Sequence, residues 1–277
     1  MNSVPFQFYE SVTVQPGTVE IRHFPGVLGS AAAQGIDKFV SETILIEKGK
    51  LVERSFNRLF NGKRPEEPVE QRFCLHRKIK IKADDAKYSM NPDALKAINT
   101  CKHRNVNLAI FTSNLSRELE MSIDSLRKVS VLRFHSTQCV SKIMKMYAAK
   151  KTVANIIFPY TYEFDIATTA LLLDALCQEQ LAEITLPYSA LSVVKDIIAY
   201  WRMNPEKLIG KRVSAPMIRS EFLNIDQGIR DATEQEIAHL QLYYPQMKTH
   251  KIWPVRILRS EQSAAAYFIG ILTIFFA

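Results

Sequence analysis

Two cysteine–histidine pairs are the residues of this chain best suited to chemistry. Cys74 and His76 are separated by one residue, and Cys101 and His103 repeat that spacing. Thiolate sulfur and imidazole nitrogen are the donors that tetrahedral zinc prefers. The long gap between the two pairs matches no common zinc signature. We expect a buried strand cysteine and exposed histidines at these positions, and no metal site.

Catalysis by a nucleophile or by paired carboxylates finds little support in the sequence. The 6 histidines are scattered, and no serine lies in a G-x-S-x-G elbow. Glu118 with Glu120, and Glu234 with Glu236, fit helical faces where solvated charge is the usual explanation. No glycine-rich phosphate loop or dinucleotide fingerprint occurs. The sequence predicts no catalytic residue, no cofactor and no enzyme activity.

Lysines alternate along one short segment, at Lys78, Lys80 and Lys82. Alternate residues of a strand share a face, so this row could contact phosphates. Single-strand binders also need aromatic residues for stacking, and none accompanies the row. A charged row protects a sheet edge from aggregation, and we favour that interpretation. A basic nucleic-acid-binding module stays as the alternative function, since the formal net charge is +8.

Composition and cysteine use place the chain among folded proteins of a reducing compartment. Its 277 residues are 47% hydrophobic, which suffices for a buried core. None of the 4 cysteines forms a C-x-x-C pair, and the first residues lack the basic and apolar regions of a secretory leader. We expect reduced thiols and a cytoplasmic or nuclear location.

The last stretch, residues 263–277, carries no charged side chain. A membrane-spanning helix needs about 20 apolar residues, so we do not expect a membrane partner. A buried last strand or helix is the favoured explanation. A short tail anchor and an incorrectly inferred end of the gene are the alternatives.

A strand motif repeats in the middle of the chain. The segment Val153–Pro159 matches Leu181–Pro187 position by position, with apolar residues at the first, fourth and sixth places before the proline. Val129, Leu132 and Phe134 take the same three places. Motif starts at positions 106, 129, 153, 181 and 208 lie 23, 24, 28 and 27 residues apart. The motif near position 208 is the weakest copy.

Helices are predicted between these strands from apolar residues spaced three or four apart. Ser116 and Asp165 are predicted to cap the first and third of them. A strand and a helix every 23–28 residues is the period of leucine-rich repeats, whose parallel strands line a concave surface. A doubly wound α/β sheet is the alternative, but the strands are short and no strand ends in a glycine-rich loop.

Residues between the repeated apolar positions should lie on the surface that the strands expose, because neighbouring strand residues face opposite ways. These residues are the predicted partner-binding set, with a protein substrate as the partner. The set comprises Ser130, Arg133, Asn155, Ile157, Glu183 and Thr185.

The N-terminal part resembles a known family. A hairpin is predicted over residues 39–60, with its turn at Glu47–Lys50. The opening V-P-F-x-F-x-x-x-V resembles the first helix of an F-box. The whole layout resembles the nematode F-box and F-box-associated proteins, which continue into leucine-rich-like repeats. The residues that match the F-box motif are Val4, Pro5, Phe8 and Val12.

This resemblance implies a substrate-recognition subunit of a cullin-type ubiquitin ligase. The matching residues would bind the adaptor subunit of the ligase, and the repeats would select the substrate. A glycine-rich stretch, residues 17–35, stands where the later F-box helices belong, so the F-box is degenerate. A repeat-type interaction protein with no ubiquitin role is a further alternative.

The sequence therefore predicts an α/β fold: a short solenoid of strand–helix repeats that follows a small F-box-like helix and a β-hairpin region. The expected divisions are a degenerate F-box-like segment, a hairpin region with a linker, a leucine-rich-repeat-like α/β domain and an apolar C-terminal tail. They span residues 1–36, 37–104, 105–250 and 251–277.

Overall fold

The computed structural model describes thirteen stretches of the chain. They are residues 40–58, 63–65, 74–82, 89–102, 104–112, 114–136, 138–158, 162–187, 190–215, 228–243, 255–260, 264–269 and 273–277. The predicted F-box-like segment, with Val4, Pro5, Phe8 and Val12, lies outside the described residues.

Twelve strands of the described residues form one mixed sheet, and seven helices accompany it, so the α/β class is confirmed. The strands are β1 Val40–Glu47, β2 Lys50–Arg58, β3 Cys74–Lys82, β4 Asn105–Ile110, β5 Lys128–Phe134, β6 Asn155–Ile157, β7 Glu183–Thr185, β8 Arg212–Ser214, β9 Arg230–Asp231, β10 Val255–Arg259, β11 Ala265–Ile269 and β12 Thr273–Phe276. The helices are α1 Pro92–Thr100, α2 Arg117–Ser125, α3 Val140–Ala148, α4 Ile166–Leu176, α5 Leu191–Met203, α6 Pro205–Leu208 and α7 Glu234–Tyr243.

Strands β3 to β8 lie side by side in chain order. The order across the sheet is β2-β1-β3-β4-β5-β6-β7-β8-β12-β11-β10-β9. Each of β3 to β7 pairs in parallel with the next strand of the chain, and a helix lies in every connection. The predicted division between residues 104 and 105 falls between α1 and β4, within this continuous sheet.

The predicted repeat strands are present, with one change at the weakest copy. The motifs that start at 129, 153 and 181 contain β5, β6 and β7. In the copy at 208, Leu208 lies in α6, and only Val213 lies in a strand. Leu208 is nevertheless fully buried. Its apolar side chain is needed for packing in the core and does not indicate a strand.

The predicted hairpin is confirmed, and its turn explains the glycine in it. Strands β1 and β2 pair antiparallel around Lys48 and Gly49, whose φ angles are 50° and 76°. Positive φ at both central residues is the geometry that matches the twist of paired strands. A Cβ on Gly49 would also lie 2.5 Å from the carbonyl oxygen of Ser89, so a larger residue would force the chain apart there.

Two helix caps follow the sequence prediction. The Ser116 hydroxyl accepts a hydrogen bond from the backbone N–H of Leu119 at 3.3 Å, at the start of α2. The Asp165 carboxylate accepts one from the backbone N–H of Thr168 at 2.6 Å, at the start of α4. Each cap satisfies a donor that the first helical turn leaves without a partner.

The main core lies between the sheet and helices α1 to α6, on what we call the helix-side face. Six aligned strand residues, one from each of β3 to β8, form a row across this face, and none is more than 3% exposed. Full burial of one such side chain contributes about 1.5–3 kcal/mol. The row comprises Ile79, Leu108, Leu132, Ile156, Ile184 and Val213.

The C-terminal strands extend the same sheet, and their opposite face is covered by α7. Strand β12 pairs antiparallel with β8. Leu240 of α7 packs in a second apolar cluster with Ile257, Tyr267 and Phe275. The described part of residues 263–277 thus forms buried strands, as the favoured explanation predicts. Among the described helices, none has the length and apolar character needed to cross a bilayer.

A buried ion pair joins the hairpin to β3. Arg77 stands at an apolar position of β3, and its parallel partner Glu42 stands at an apolar position of β1. The Glu42 carboxylate, 0% exposed, accepts a hydrogen bond from Arg77 Nε at 2.9 Å. Its second oxygen accepts one from Arg54 Nε at 2.7 Å. Glu42 and Arg77, which interrupt the apolar patterns of their strands, therefore neutralise each other.

Replacing Glu42 alone tests this arrangement. We expect Glu42→Leu to lower the free energy of unfolding by about 3–5 kcal/mol, because it leaves the buried Arg77 guanidinium without its carboxylate. The double variant Glu42→Leu/Arg77→Leu should recover most of that loss, since no unpaired charge stays buried. Urea denaturation measures both values. Glu53→Gln, an exposed carboxylate of β2, is the control. Equal destabilisation by the single and double variants would contradict the account.

Candidate interaction surface

Opposite the helix-side face lies the open face, defined here as the outward side of β3 to β8. No described helix packs on it, in contrast to the α7-covered face of β10 to β12. One row of the open face joins Arg133, Ile157 and Thr185 in adjacent strands, and a second joins Asn155 with Glu183. Strand alternation thus brings these five predicted partner-binding residues together on one surface.

Ser130 joins the same surface through an irregularity in β5. The register between β4 and β5 shifts after Val106, so that Asn107 pairs with Val131. The Ser130 hydroxyl then donates a hydrogen bond to Asn107 Oδ1 at 3.0 Å. All six residues predicted from the sequence therefore lie on or beside the open face.

Two of these residues already have partners within the chain. Ser130 is bonded to Asn107, and the Glu183 carboxylate forms an ion pair with the Arg212 guanidinium. Ser214 adds a hydroxyl at 3.4 Å from Glu183. Among the described residues, the side chains of Arg133, Asn155 and Thr185 make no hydrogen bond, so they are available to a ligand.

The alternating lysines lie on an interior strand of the sheet. The prediction that they protect a sheet edge is therefore wrong. Strand β3 has β1 on one side and β4 on the other, so it is not an edge strand. Lys78 aligns with Asn107 of β4, and Lys80 aligns with Ala109. Ala109 aligns in turn with Arg133, so the row places lysine and arginine on either side of an alanine.

Two rings lie at the end of this row, at the carboxyl ends of β4 and β5. Phe111 and His135 stack with centroids 3.8 Å apart and planes 6° from parallel. The Lys82 ammonium lies 5.7 Å from the Phe111 centroid. We call Lys78, Lys80, Lys82, Arg133 and His135 the basic cluster.

Like charges repel one another within the basic cluster. Partial burial is the first cause that lowers the pKa of Lys78, and the charges of Lys80 and Arg133 lower it further. Burial also lowers the pKa of His135, with Arg133 and Lys78 as further causes. Within the described residues, no carboxylate forms an ion pair with any member. The three lysines and Arg133 therefore form a patch of positive charge in which no cation forms an ion pair with a described carboxylate.

The cysteine–histidine pairs do not form a metal site in the described part of the chain, where no group of three or more potential ligands occurs. Cys74 and Cys101 are both buried, and His103 lies outside the described residues. Burial raises the pKa of the Cys74 thiol to about 12. The Cys101 thiol donates a hydrogen bond to the Ala97 carbonyl oxygen at 3.6 Å. This contact indicates a packing role for Cys101.

Three of the four paired carboxylates make structural contacts. Glu118 accepts a hydrogen bond from the Met90 backbone N–H at 3.0 Å, and Glu120 forms an ion pair with Lys142 at 2.6 Å. Glu236 accepts from the Thr233 backbone N–H at 2.9 Å, and its own N–H donates to the Thr233 hydroxyl at 3.3 Å. That reciprocal pair is a capping box at the start of α7.

Sequence reasoning missed the basic cluster because its members come from different strands. Phe111 and His135 each follow the last residue of a strand, β4 or β5. Equivalent positions after successive strands are a signal that could have placed them side by side. The alternation of Lys78 and Lys80 was visible, but their position within the sheet depends on pairing that the sequence pattern does not give.

No family model, curated protein or solved structure matches the chain. The geometry of the open face is therefore the basis for a functional conclusion. Half-buried polar side chains, a strong positive field and the absence of a described covering helix suit non-covalent recognition of a macromolecule.

Titration of His135 tests whether the positive charges of the basic cluster lie close enough to affect one another. We expect its midpoint below the ordinary 6.5, and we expect Arg133→Gln to raise it, because removing a positive neighbour favours the protonated ring. NMR of the imidazole ring as a function of pH measures the pKa. Lys145→Gln, on the exposed side of α3, should leave it unchanged. An Arg133→Gln protein with an unaltered His135 midpoint would show that the charges do not converge.

Proposed function

We propose that this chain is a non-enzymatic recognition subunit whose open face selects a protein partner. The observation that carries the proposal is the arrangement of Arg133, Asn155 and Thr185 on one surface that no described helix covers, without hydrogen-bond partners among the described residues. Rigid strands hold these side chains in place, so binding them would cost little ordering entropy.

The finer architecture that we propose is a short solenoid resembling leucine-rich repeats. Support comes from the parallel order of β3 to β8 and the helix in each connection. Neighbouring strands lie about 4.8 Å apart, whereas packed helices need about 8–10 Å. Helices on one side only would curve the sheet, with the open face on the concave side, where repeat proteins bind their partners.

The proposed context is a cullin-type ubiquitin ligase. It rests on the resemblance of the N-terminal segment to an F-box, in which Val4, Pro5, Phe8 and Val12 would dock an adaptor by apolar burial. In that scheme the open face selects the substrate to be modified. A repeat-type interaction protein with no ubiquitin role uses the same face without the adaptor.

A basic nucleic-acid-binding module is the second candidate. The observation in its favour is that Lys78, Lys80 and Lys82 lie in the interior of the sheet beside two aromatic rings. Cations and ring faces are the two components of single-strand binding. This candidate and the first differ in the class of polymer that the same surface would bind.

A triple variant of the open face tests partner selection. We expect Arg133→Ala/Asn155→Ala/Glu183→Ala to abolish most capture of the protein partner, because it removes the side chains that would contact it. Affinity purification followed by mass spectrometry compares the proteins recovered. The matched control is Lys145→Ala/Ser192→Ala/Asp196→Ala, on exposed positions of α3 and α5. Unchanged recovery with the open-face variant would contradict the assignment.

Replacement of Phe8 tests the ligase context separately. We expect recovery of cullin and its adaptor with the unaltered chain, and loss of both with Phe8→Ala, since an apolar docking residue is removed. Partner capture through the open face should persist in that variant. Absence of cullin from purifications of the unaltered chain would refute the ubiquitin role and leave the interaction module.

A further inference from the structure

The basic cluster places two cations on either side of one small residue. Lys80, Ala109 and Arg133 align across three adjacent strands of the open face. The Cα atoms of the two basic residues are separated by two strand spacings, about 10 Å. Ala109 between them is small and only 2% exposed, so the two long side chains can close over it and converge above it on one carboxylate.

The charge of this site is unbalanced within the described residues. No acidic residue forms an ion pair with Lys78, Lys80 or Arg133 there. Mutual repulsion contributes to the lowered pKa of Lys78. Other buried or half-buried charges of the sheet do have partners, as Glu42 has Arg77 and Glu183 has Arg212. An anionic ligand would supply the missing counter-charge.

The spacing of the lysines fits an extended polypeptide. Lys78 and Lys80 are two residues apart in β3, a separation of about 6.7 Å along a strand. Alternate side chains of an extended acidic peptide repeat at the same distance. One acidic side chain could then bind between Lys80 and Arg133 while the next reaches Lys78.

Two features favour a polypeptide over a nucleic acid. Phe111 and His135 stack on each other, so each ring has already used one of the faces on which a base would stack. The open face also becomes mixed in charge beyond β6, where Glu183 pairs with Arg212. A polyanion that crossed the sheet would meet that carboxylate, whereas a short peptide parallel to β3 stays over the basic cluster.

We infer that the basic cluster binds an extended acidic segment of the protein partner, with one carboxylate held between Lys80 and Arg133 above Ala109. This inference rests on the proposed function and adds the chemical class of the partner. The segment runs parallel to β3, so that its alternate acidic side chains face Lys78 and the pair of Lys80 and Arg133.

Binding of a defined probe to the purified full chain tests the inference. The probe is a fluorescein-labelled peptide of alternating glutamate and threonine, and fluorescence anisotropy measures its dissociation constant at low and at physiological salt. We expect Lys80→Gln/Arg133→Gln to weaken binding about tenfold or more, since two charge-assisted contacts are lost. Added salt should affect this variant less than the unaltered chain.

Two further variants separate a local site from general basicity. Lys145→Gln/Lys195→Gln removes the same charge from exposed positions of α3 and α5 and should bind the peptide as the unaltered chain does. Ala109→Leu keeps every charge but puts a larger side chain at a position that is only 2% exposed, so it should push Lys80 and Arg133 apart and weaken binding. Circular dichroism checks that each variant is folded.

Three results would overturn the inference. The first is no binding of the acidic peptide by the unaltered chain. The second is equal weakening by the open-face and helix-side double variants. The third is tighter binding of a mixed-sequence single-stranded oligonucleotide than of the peptide, lost with Lys80→Gln/Arg133→Gln.

The affinity purification distinguishes failure of the acidic-segment inference from failure of the proposed function. Partner capture that depends on Asn155 and Glu183, together with peptide binding that ignores Lys80 and Arg133, would retain the recognition role and reject the acidic segment. Conversely, peptide binding with no captured partner would retain the site and reject the proposed function.

Discussion

Burial of a single row of aliphatic side chains under the helices is the interaction on which the rest of this structure depends. Residues from Ile79 in β3 to Val213 in β8 align one after another across the sheet. Each connection must therefore return to the same face with its helix. With helices α1 to α6 packed on that face, the other face of the same strands carries polar and charged side chains together with Ala109 and Ile157.

Interactions outside the row of aliphatic side chains hold both ends of this sheet in place. At one end, the buried pair of Glu42 and Arg77 locks the hairpin to β3. At the other end, β12 returns antiparallel against β8, and α7 crosses to the opposite face, where Leu240 packs on Tyr267. The described sheet therefore has one covered region and one uncovered region on its second face. The uncovered region carries the basic cluster.

The sequence predicted those features that depend on local periodicity. The spacing of Val129, Leu132 and Phe134 predicted β5 because copies of the motif can be recognised along the chain without knowledge of strand pairing. Helix caps at Ser116 and Asp165 were predictable for the same reason. Glu42 and Arg77 interrupt the apolar patterns of two separate strands, and their mutual compensation could not be predicted because it requires the parallel pairing of those strands.

Features that depend on the register between distant strands could not be predicted from local periodicity. Lys80 and Arg133 are 53 positions apart in the sequence (133 minus 80), and only the pairing of β3, β4 and β5 places Ala109 between them. The interior position of β3 was likewise hidden, which is why its lysines suggested edge protection. Burial of the C-terminal apolar run followed from composition, but its pairing with β8 did not.

Lysine acetylation footprinting tests the central claim that the open face, and not the helix side, contacts the partner. The rate of acetylation at each lysine is measured by mass spectrometry for the chain alone and for the chain with its captured partner. The account predicts slower acetylation of Lys78 and Lys80 in the complex and unchanged rates at Lys145 and Lys195. Protection of Lys145 and Lys195 with no change at Lys78 and Lys80 would contradict it.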